Sequence, residues 1–456
     1  MEPKQEAAEG KNQEERTVKE NSNKSPLKMQ VDDIRKRYLT PMRDPALGTY
    51  VHEETVRHRA DGVLQRDYAR IMYSSSFRRL QGKMQLLGIK KDQFFRNRLT
   101  HSLEVAQIAR SLAGMMHYDE GESYVVEAGA LAHDLGNPPF GHAGETFLNS
   151  KFGRIGGFEG NAQTLRIMTG VEKKRPDFRG LNLTYRTMFS VVKYFNKFDP
   201  GLHEQGVRQK FIYDDDYDLL KDFIEEHGIA IRTIDVQIVD IADEIAYAAH
   251  DLEDALRLKA FTIDELLHDY RVMYGNSESL IKLEEIVADA RSSAGYGERK
   301  LDSTQYSKLF RQELTSQLIN LFLNDVGMRK LSDQDKQKTG SMQEEELGFL
   351  QYGELVKGLK ILVFQCINHN DGVYSYEQSG NLVLDYLVDL FREYNMYLPP
   401  EYRADILAEQ YADLQGIDRA LLQERLVCDY VSGMMDSYAI SVYEKYSGKL
   451  FMGGHH

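Results

Sequence analysis

The sequence predicts a mostly α-helical fold, and three observations lead there. Apolar residues recur at three- and four-residue spacing through long segments. Only 10 of 456 residues are proline, against a usual ~5%, which favours long helices over loops and sheets. Strand signals are sparse, with Gly228–Arg232 read as one arm of a short hairpin. In chain order, Leu103, Ala106, Ala109/Arg110 and Ala113 fall on one face of a helix that His101 opens. Tyr124–His133 is a second helix, stopped by Gly136 and the Pro138-Pro139 pair. Val236, Val239, Ile245, Ala249, Leu252 and Leu256 mark a third. Leu355–Phe364 and Leu382–Tyr394 are apolar helices nearer the C-terminus. Loops are expected at Gly153–Gly160, at Asp199-Pro200-Gly201, and over the charged and polar stretch Leu331–Met342.

The length corresponds to about three domains at ~150 residues each, and equally to one large domain with insertions. Residues 1–28 carry almost no large apolar side chains and are expected to be a disordered tail. Residues 29–344 form the main domain, and 345–456 a helical C-terminal subdomain packed on it. Gly453-Gly454-His455-His456 reads as a flexible end with no metal role. No repeat of period 20–50 is visible. With 42% hydrophobic and 28% charged residues, the composition is that of an ordinary globular protein. No apolar run approaches the ~18 residues of a membrane span; Ile361–Cys366 is far too short. No membrane partner is expected. The N-terminus lacks the apolar h-region of a secretory signal. Cys366 and Cys428 are too few for a disulfide framework and read as reduced core thiols of a cytoplasmic protein. The net charge of −14, from 57 basic and 71 acidic residues, makes a poor generic binder of polyanions, whose affinity comes from phosphate neutralisation.

Candidate chemistry begins with residues that can hold a metal. His133-Asp134 ends an apolar helix, His101 opens another, and Asp243 sits in the buried-looking run Ile-Ala-Asp-Glu-Ile-Ala. Buried carboxylates are costly unless paired or coordinated. Two imidazoles and two carboxylates suit Mg²⁺, Mn²⁺, Fe²⁺ or Zn²⁺; taken singly, each is equally a hydrogen-bonded core residue. His142 and Glu145 are three apart and share a helical face if a helix starts near Gly141. That is an acid/base arrangement, or else a first turn with Glu145 placed favourably on the dipole. Asp243, Tyr247 and Asp251 stand at i, i+4 and i+8 on one stripe. The stripe is either a pocket wall for a sugar or base, or a solvated strip beside a core face. Arg78-Arg79, Lys83, Arg96-Asn97-Arg98 and Lys193-Tyr194 supply local basic character, and Arg98 precedes His101 by three residues, where a guanidinium can clamp phosphate.

The segments Ser76-Phe-Arg-Arg-Leu-Gln-Gly-Lys, Arg98-Leu-Thr-His-Ser-Leu-Glu-Val-Ala-Gln, His133–Glu145, Phe158-Glu-Gly-Asn-Ala-Gln and Asp240-Ile-Ala-Asp-Glu-Ile-Ala-Tyr occur in this order. Together they resemble the deoxyguanosine triphosphate triphosphohydrolase family of the HD superfamily, from about residue 40 to 260 and more loosely beyond. The resemblance implies an HD-domain helical fold over 29–344 with the helical subdomain behind it. It implies one divalent metal per subunit, Mg²⁺ or Mn²⁺ first among the candidates, on His101, His133, Asp134 and Asp243. It matches His142 and Glu145 to the family's catalytic pair. Tyr247 and Asp251 match deoxyribose positions, Gln85 a contact to the 3′-hydroxyl, and Arg98, Lys193 and Tyr194 phosphate contacts. Asn161 matches a residue lining the same site, and Glu377 is a candidate for base recognition. The implied reaction cleaves a deoxynucleoside triphosphate, dGTP favoured, to deoxynucleoside and inorganic triphosphate. A homo-oligomer, hexamer or tetramer, is also implied, and some family members bind single-stranded DNA. One departure is Asn137, where a distant relative, the vertebrate dNTP triphosphohydrolase that carries a SAM domain, has a histidine. The alternatives are another HD phosphohydrolase (a nucleotidase or phosphodiesterase), or a regulatory nucleotide- or nucleic-acid-binding HD protein.

Overall fold

A computed structural model describes residues 26–54, 62–85, 96–297, 301–368, 371–411, 414 and 416–451. The helices that build the site are α1 (Gly62–Met72), α2 (Arg98–Met115), α3 (Glu120–Ala132), α4 (Gly141–Lys151), α5 (Gly160–Arg166) and α6 (Ile234–Ala246). α2 and α3 each start on a reciprocal capping box. Asn97 pairs with Thr100 in the first and Asp119 with Glu122 in the second, satisfying amides a helix start leaves free. α2, α3 and α6 pack on one another through Ile108, Leu112, Val126, Leu131, Ile238 and Ile245, all without exposed surface. The expected helices at Leu103–Ala113, Tyr124–His133 and Val236–Leu256 are therefore present, the last interrupted by a π turn at Tyr247–Asp251 before Leu252–Arg257.

Further along lie the antiparallel strands β1 (Val326–Lys330) and β2 (Glu345–Phe349), then α7 (Gly353–Asn368), α8 (Asp371–Glu393), α9 (Arg419–Ser432) and α10 (Asp436–Ser447). Leu355, Val356, Leu359 and Val363 of α7 belong to the main hydrophobic core. α8, α9 and α10 share a second core with Phe140, Leu148, Phe152 and Phe158 of the main body. The expected division near residue 345 thus falls between the paired strands β1 and β2. Cys366 is half-buried and Cys428 buried, both unpaired. Among the described residues no helix is long and apolar enough to cross a membrane.

Four local expectations need correction. Gly228–Arg232 is not a strand. Gly228 ends the helix Asp214–His227 at φ 66°, and the carbonyls of Ile231 and Arg232 accept from the Gln343 side chain rather than from a strand partner. Asp199-Pro200-Gly201 starts a helix, Pro200–Glu204, because the Asp199 carboxylate caps the amides of Gly201 and Leu202. Within Leu331–Met342 a Ser332–Asp335 capping box nucleates the helix Asp333–Thr339. The tail expected over 1–28 does not include its last residues, since Pro26–Ile34 is helical and Leu27 has no exposed surface. Residues 1–25 and Gly453–His456 lie outside the described residues. The loop expected at Gly153–Gly160 holds, with one 3₁₀ turn and left-handed glycines at 156 and 157.

The turn after α3 is held by close backbone approach. A Cβ on Gly136 would lie 2.1 Å from the Gly160 carbonyl oxygen and 2.3 Å from the Thr164 nitrogen. Gly136→Ala must therefore push α5 away from the His133-Asp134 turn. Overpacking of this kind costs ~1–3 kcal/mol; a lowered urea midpoint with an unchanged slope is the expected measurement.

Candidate active site

One pocket of about 570 Å³ collects His133, Asp134, His142, Glu145, Asp243, Gln85, Arg98, Asn161, Lys193, Tyr194, Tyr247 and Asp251. Of the metal, acid/base and substrate residues nominated from the sequence, only His101 is outside the lining, lying beneath it, whereas the basic residues Arg78, Arg79, Lys83 and Arg96 do not line it. His101 is fully buried, with Nε2 3.1 Å from Asp243 Oδ1. Glu377 and Asn137 also line the pocket.

The donor set at its floor fits a metal. Ligand atoms of His101, His133 and Asp243 all lie within 4.8 Å of one another. His133 Nδ1 donates to the Ala130 carbonyl at 2.6 Å, which leaves Nε2 as the lone-pair atom. That Nε2 is buried without a hydrogen-bond partner among the described residues and stands 3.5 Å from Asp243 Oδ1 and 3.6 Å from Asp134 Oδ1. Asp243 divides its oxygens: Oδ1 faces both imidazoles, while Oδ2 accepts from Lys193 at 3.2 Å. Burial opposes its charge, yet Lys193 and then the imidazoles hold the carboxyl well below the usual range. Burial likewise opposes charge on His133, and Asp134 and Asp243 outweigh it to hold the imidazole raised. Asp134 stands slightly apart. Arg98 Nη1 donates to its Oδ2 at 2.7 Å and Asn137 Nδ2 donates to its Oδ1.

At the rim, α4 begins with Phe140 in the left-handed region at φ 61°. The next turn puts His142 Nδ1 3.1 Å from Glu145 Oε2, as the three-residue spacing requires. Arg208 reaches the same pair, with Nη1 2.6 Å from His142 Nε2 and Nη2 3.1 Å from Glu145 Oε2. Burial raises the Glu145 carboxyl, but the His142 bond, Lys210 and Arg208 together bring it down to about 2.

Models of two protein families match, the HD domain over residues 98–248 and the phosphohydrolase-associated domain over 351–445. The chain is 42% identical over 393 residues to deoxyguanosinetriphosphate triphosphohydrolase-like protein 2 of Vibrio cholerae, spanning 85% of this chain and 89% of that one. It is 32% identical over 445 residues to the deoxyguanosinetriphosphate triphosphohydrolase-like protein of Shewanella oneidensis, with 86% and 95% covered. The corresponding Bradyrhizobium diazoefficiens protein is 31% identical over 410 residues, with 88% and 94% covered. The chain belongs to the deoxyguanosinetriphosphate triphosphohydrolase-like family of HD-domain proteins. The family's HD segment contains α2, α3 and α6, and the associated segment brings α7 and α8 over the pocket, where Lys360, Phe364 and Glu377 face it.

The stripe Asp243–Tyr247–Asp251 reaches the pocket by a device that spacing did not reveal. On a straight α-helix eight residues overshoot two turns by about 80°. The π turn Tyr247–Asp251 adds residues per turn and swings Asp251 back toward the Asp243 side. The Tyr247 ring lies 4.9 Å from the His101 ring. Among the described residues, Gln85 Oε1 and Nε2, Asp251 Oδ1 and Arg98 Nε are buried without hydrogen-bond partners, so polar capacity faces the pocket from both walls. Burial, with Asp254, holds the Asp251 carboxyl well above the usual range. Asn161 donates to Glu159 at 2.9 Å. Sequence reasoning missed Lys210, Arg208 and Lys360. Lys210 bonds Glu159, sits 3.5 Å from Glu145 Oε1 and lies 5.7 Å from the Tyr194 ring centre. The available signal was Arg208-Gln209-Lys210 itself: in extended backbone, alternate residues face one side.

Asp243→Ala and His133→Ala should each lose bound metal and turnover together, because each removes a donor that no neighbour replaces. Metal content by elemental analysis of the purified variants checks this. Glu145 gives a pH test. Its carboxyl falls from 4.5 in the unfolded chain to about 2 in the fold, so its stabilisation is complete above about pH 4.5 and is lost as pH falls toward 2. The unfolding free-energy difference between wild type and Glu145→Gln should be present near pH 5 and shrink as pH falls toward 2.

Proposed function

We propose that the protein is a metal-dependent deoxynucleoside triphosphate triphosphohydrolase, with dGTP the favoured substrate. It hydrolyses the bond between the α-phosphorus and the 5′-oxygen, releasing deoxynucleoside and inorganic triphosphate. The observation that carries this reading is the sharing of one pocket. His133 and Asp243, with His101 beneath them, and the His142–Glu145 pair line the same cavity as the Gln85 amide and Asp251 Oδ1, which have no hydrogen-bond partner among the described residues. A phosphate-reactive floor beside uncommitted polar groups suits a sugar phosphate.

His101, His133, Asp134 and Asp243 would hold the ion, which when bound neutralises charge on a phosphoryl oxygen and polarises the phosphorus. Lys193 and Lys210 flank that floor and spread the charge of the triphosphate. Arg98, anchored by Asp134, keeps its Nε uncommitted for a phosphate oxygen. Glu145 holds His142 through Nδ1, so Nε2 is the atom that meets the reacting groups and moves the proton. Arg208 donates to that atom in the structure, so substrate must displace it. At the other wall Gln85 and Asp251 take the 3′-hydroxyl, and the Tyr247 ring packs on the C2′ edge. A 2′-hydroxyl there meets an aromatic face instead of a partner, and an unsatisfied buried hydroxyl costs ~1–3 kcal/mol.

Incubation with each dNTP, followed by chromatography of the products, tests the reaction. Triphosphate and deoxynucleoside are expected; orthophosphate or pyrophosphate as the product would place the protein with other HD phosphohydrolases. His142→Ala should retain metal and lose ~10²–10⁴-fold in kcat. Wild type should prefer dGTP to GTP in kcat/KM, and Tyr247→Ala should narrow that ratio more than it lowers metal content. Equal efficiency on both sugars in wild type would defeat the sugar reading.

A further inference from the structure

Asp436 stands at the start of α10, where a carboxylate ordinarily serves its own helix's free amides. Both of its oxygens instead reach other segments. Oδ1 accepts from the Phe140 amide at 3.2 Å, and Oδ2 accepts from the Met84 amide and the Tyr376 hydroxyl, each at 3.3 Å. The side chain is wholly buried, with 0% exposed surface, a position a carboxylate holds only when hydrogen-bonded or paired. Lys83, itself buried, lies in the same cluster and donates to the carbonyls of Asn137 at 2.5 Å and Ser432 at 2.9 Å.

The surrounding contacts leave little slack. A Cβ on Gly82 would meet Met435 Sδ at 2.5 Å, and one on Gly380 would meet the Phe140 ring at 2.4 Å. Phe140 is held at φ 61°, a region that disfavours any residue with a Cβ. Met84 precedes Gln85, and Phe140 precedes Gly141-His142. Gln85 and His142 line the pocket, whereas Asp436 lies behind its wall.

We infer that Asp436 is a positioning residue for the reaction. Its single buried carboxylate, carried by the C-terminal helices, ties the Gln85 loop to the His142 loop and sets the spacing between the sugar wall and the proton-transfer group. The kinetic part of this inference rests on the triphosphohydrolase reading. The bonds to Met84 and Phe140 do not.

The test uses the full-length, metal-loaded protein. Asp436→Asn is isosteric and keeps one acceptor oxygen. It should lower kcat for dGTP by about 10- to 100-fold, the scale of a misplacement near 1 Å. KM should stay within a few-fold and metal content should not change. Amide hydrogen exchange should quicken at whichever of Met84 and Phe140 loses its acceptor oxygen, while α2 core amides such as Leu112 stay protected. Wild-type kcat per metal-loaded site in the variant, or loss of its metal, would overturn the proposal. If the variant does not fold, wild type decides: Met84 and Phe140 amides exchanging as slowly as Leu112 support the tie, and exchange at free-loop rates refutes it. If wild type releases no triphosphate, the functional reading fails on that assay alone, and the exchange data still decide the role of Asp436.

Discussion

The buried carboxylate of Asp243 is the constraint from which the site is organised. A negative charge removed from water needs compensation at close range, and three segments provide it. α2 brings His101 beneath it, the end of α3 brings His133 beside it, and the loop after residue 189 brings Lys193 onto its second oxygen. The packing of α2, α3 and α6 is thus coupled to the charge balance of one side chain. Lys193 also bridges to Asp240 at 2.6 Å, and Arg232 to Asp240 at 2.8 Å, so the compensation extends a turn back along α6.

A second level of organisation holds the walls. Arg98 and Asn137 keep Asp134 oriented. Glu159 caps α5 and also gathers Asn161 and Lys210. The C-terminal helices close the pocket from above, and their hydrophobic core includes Phe140 and Leu148 of the rim. The chain from residue 345 onward is therefore continuous with the site, although nothing in the sequence around Asp243 calls for it.

Much of this was legible in the sequence. The capping residues and apolar spacing of α2, α3 and α6 are local, and local physics governs where such helices start and which face they bury. His142 and Glu145 are close because three residues of helix bring them together, with no help from the rest of the fold. The errors at Gly228–Arg232, Asp199–Gly201 and Leu331–Met342 share one cause. In each, a side chain from the segment or from elsewhere, Gln343, Asp199 or Ser332, satisfies backbone groups in a way that composition does not display.

The sequence by itself determined the helical class, the donor types and the acid/base pair, because these depend on residue chemistry and on spacings within one turn of helix. Only the tertiary structure decided which donors share an atom-scale site, since Asp243 is 142 positions from His101 and no local rule measures that distance. It decided that a π turn carries Asp251 back to the pocket. It decided too that Lys210 and Arg208, on backbone without helical period, face the same carboxylate. Burial supplied the remainder: a carboxyl or imidazole has its charge set by the groups packed around it, and those come from every part of the chain.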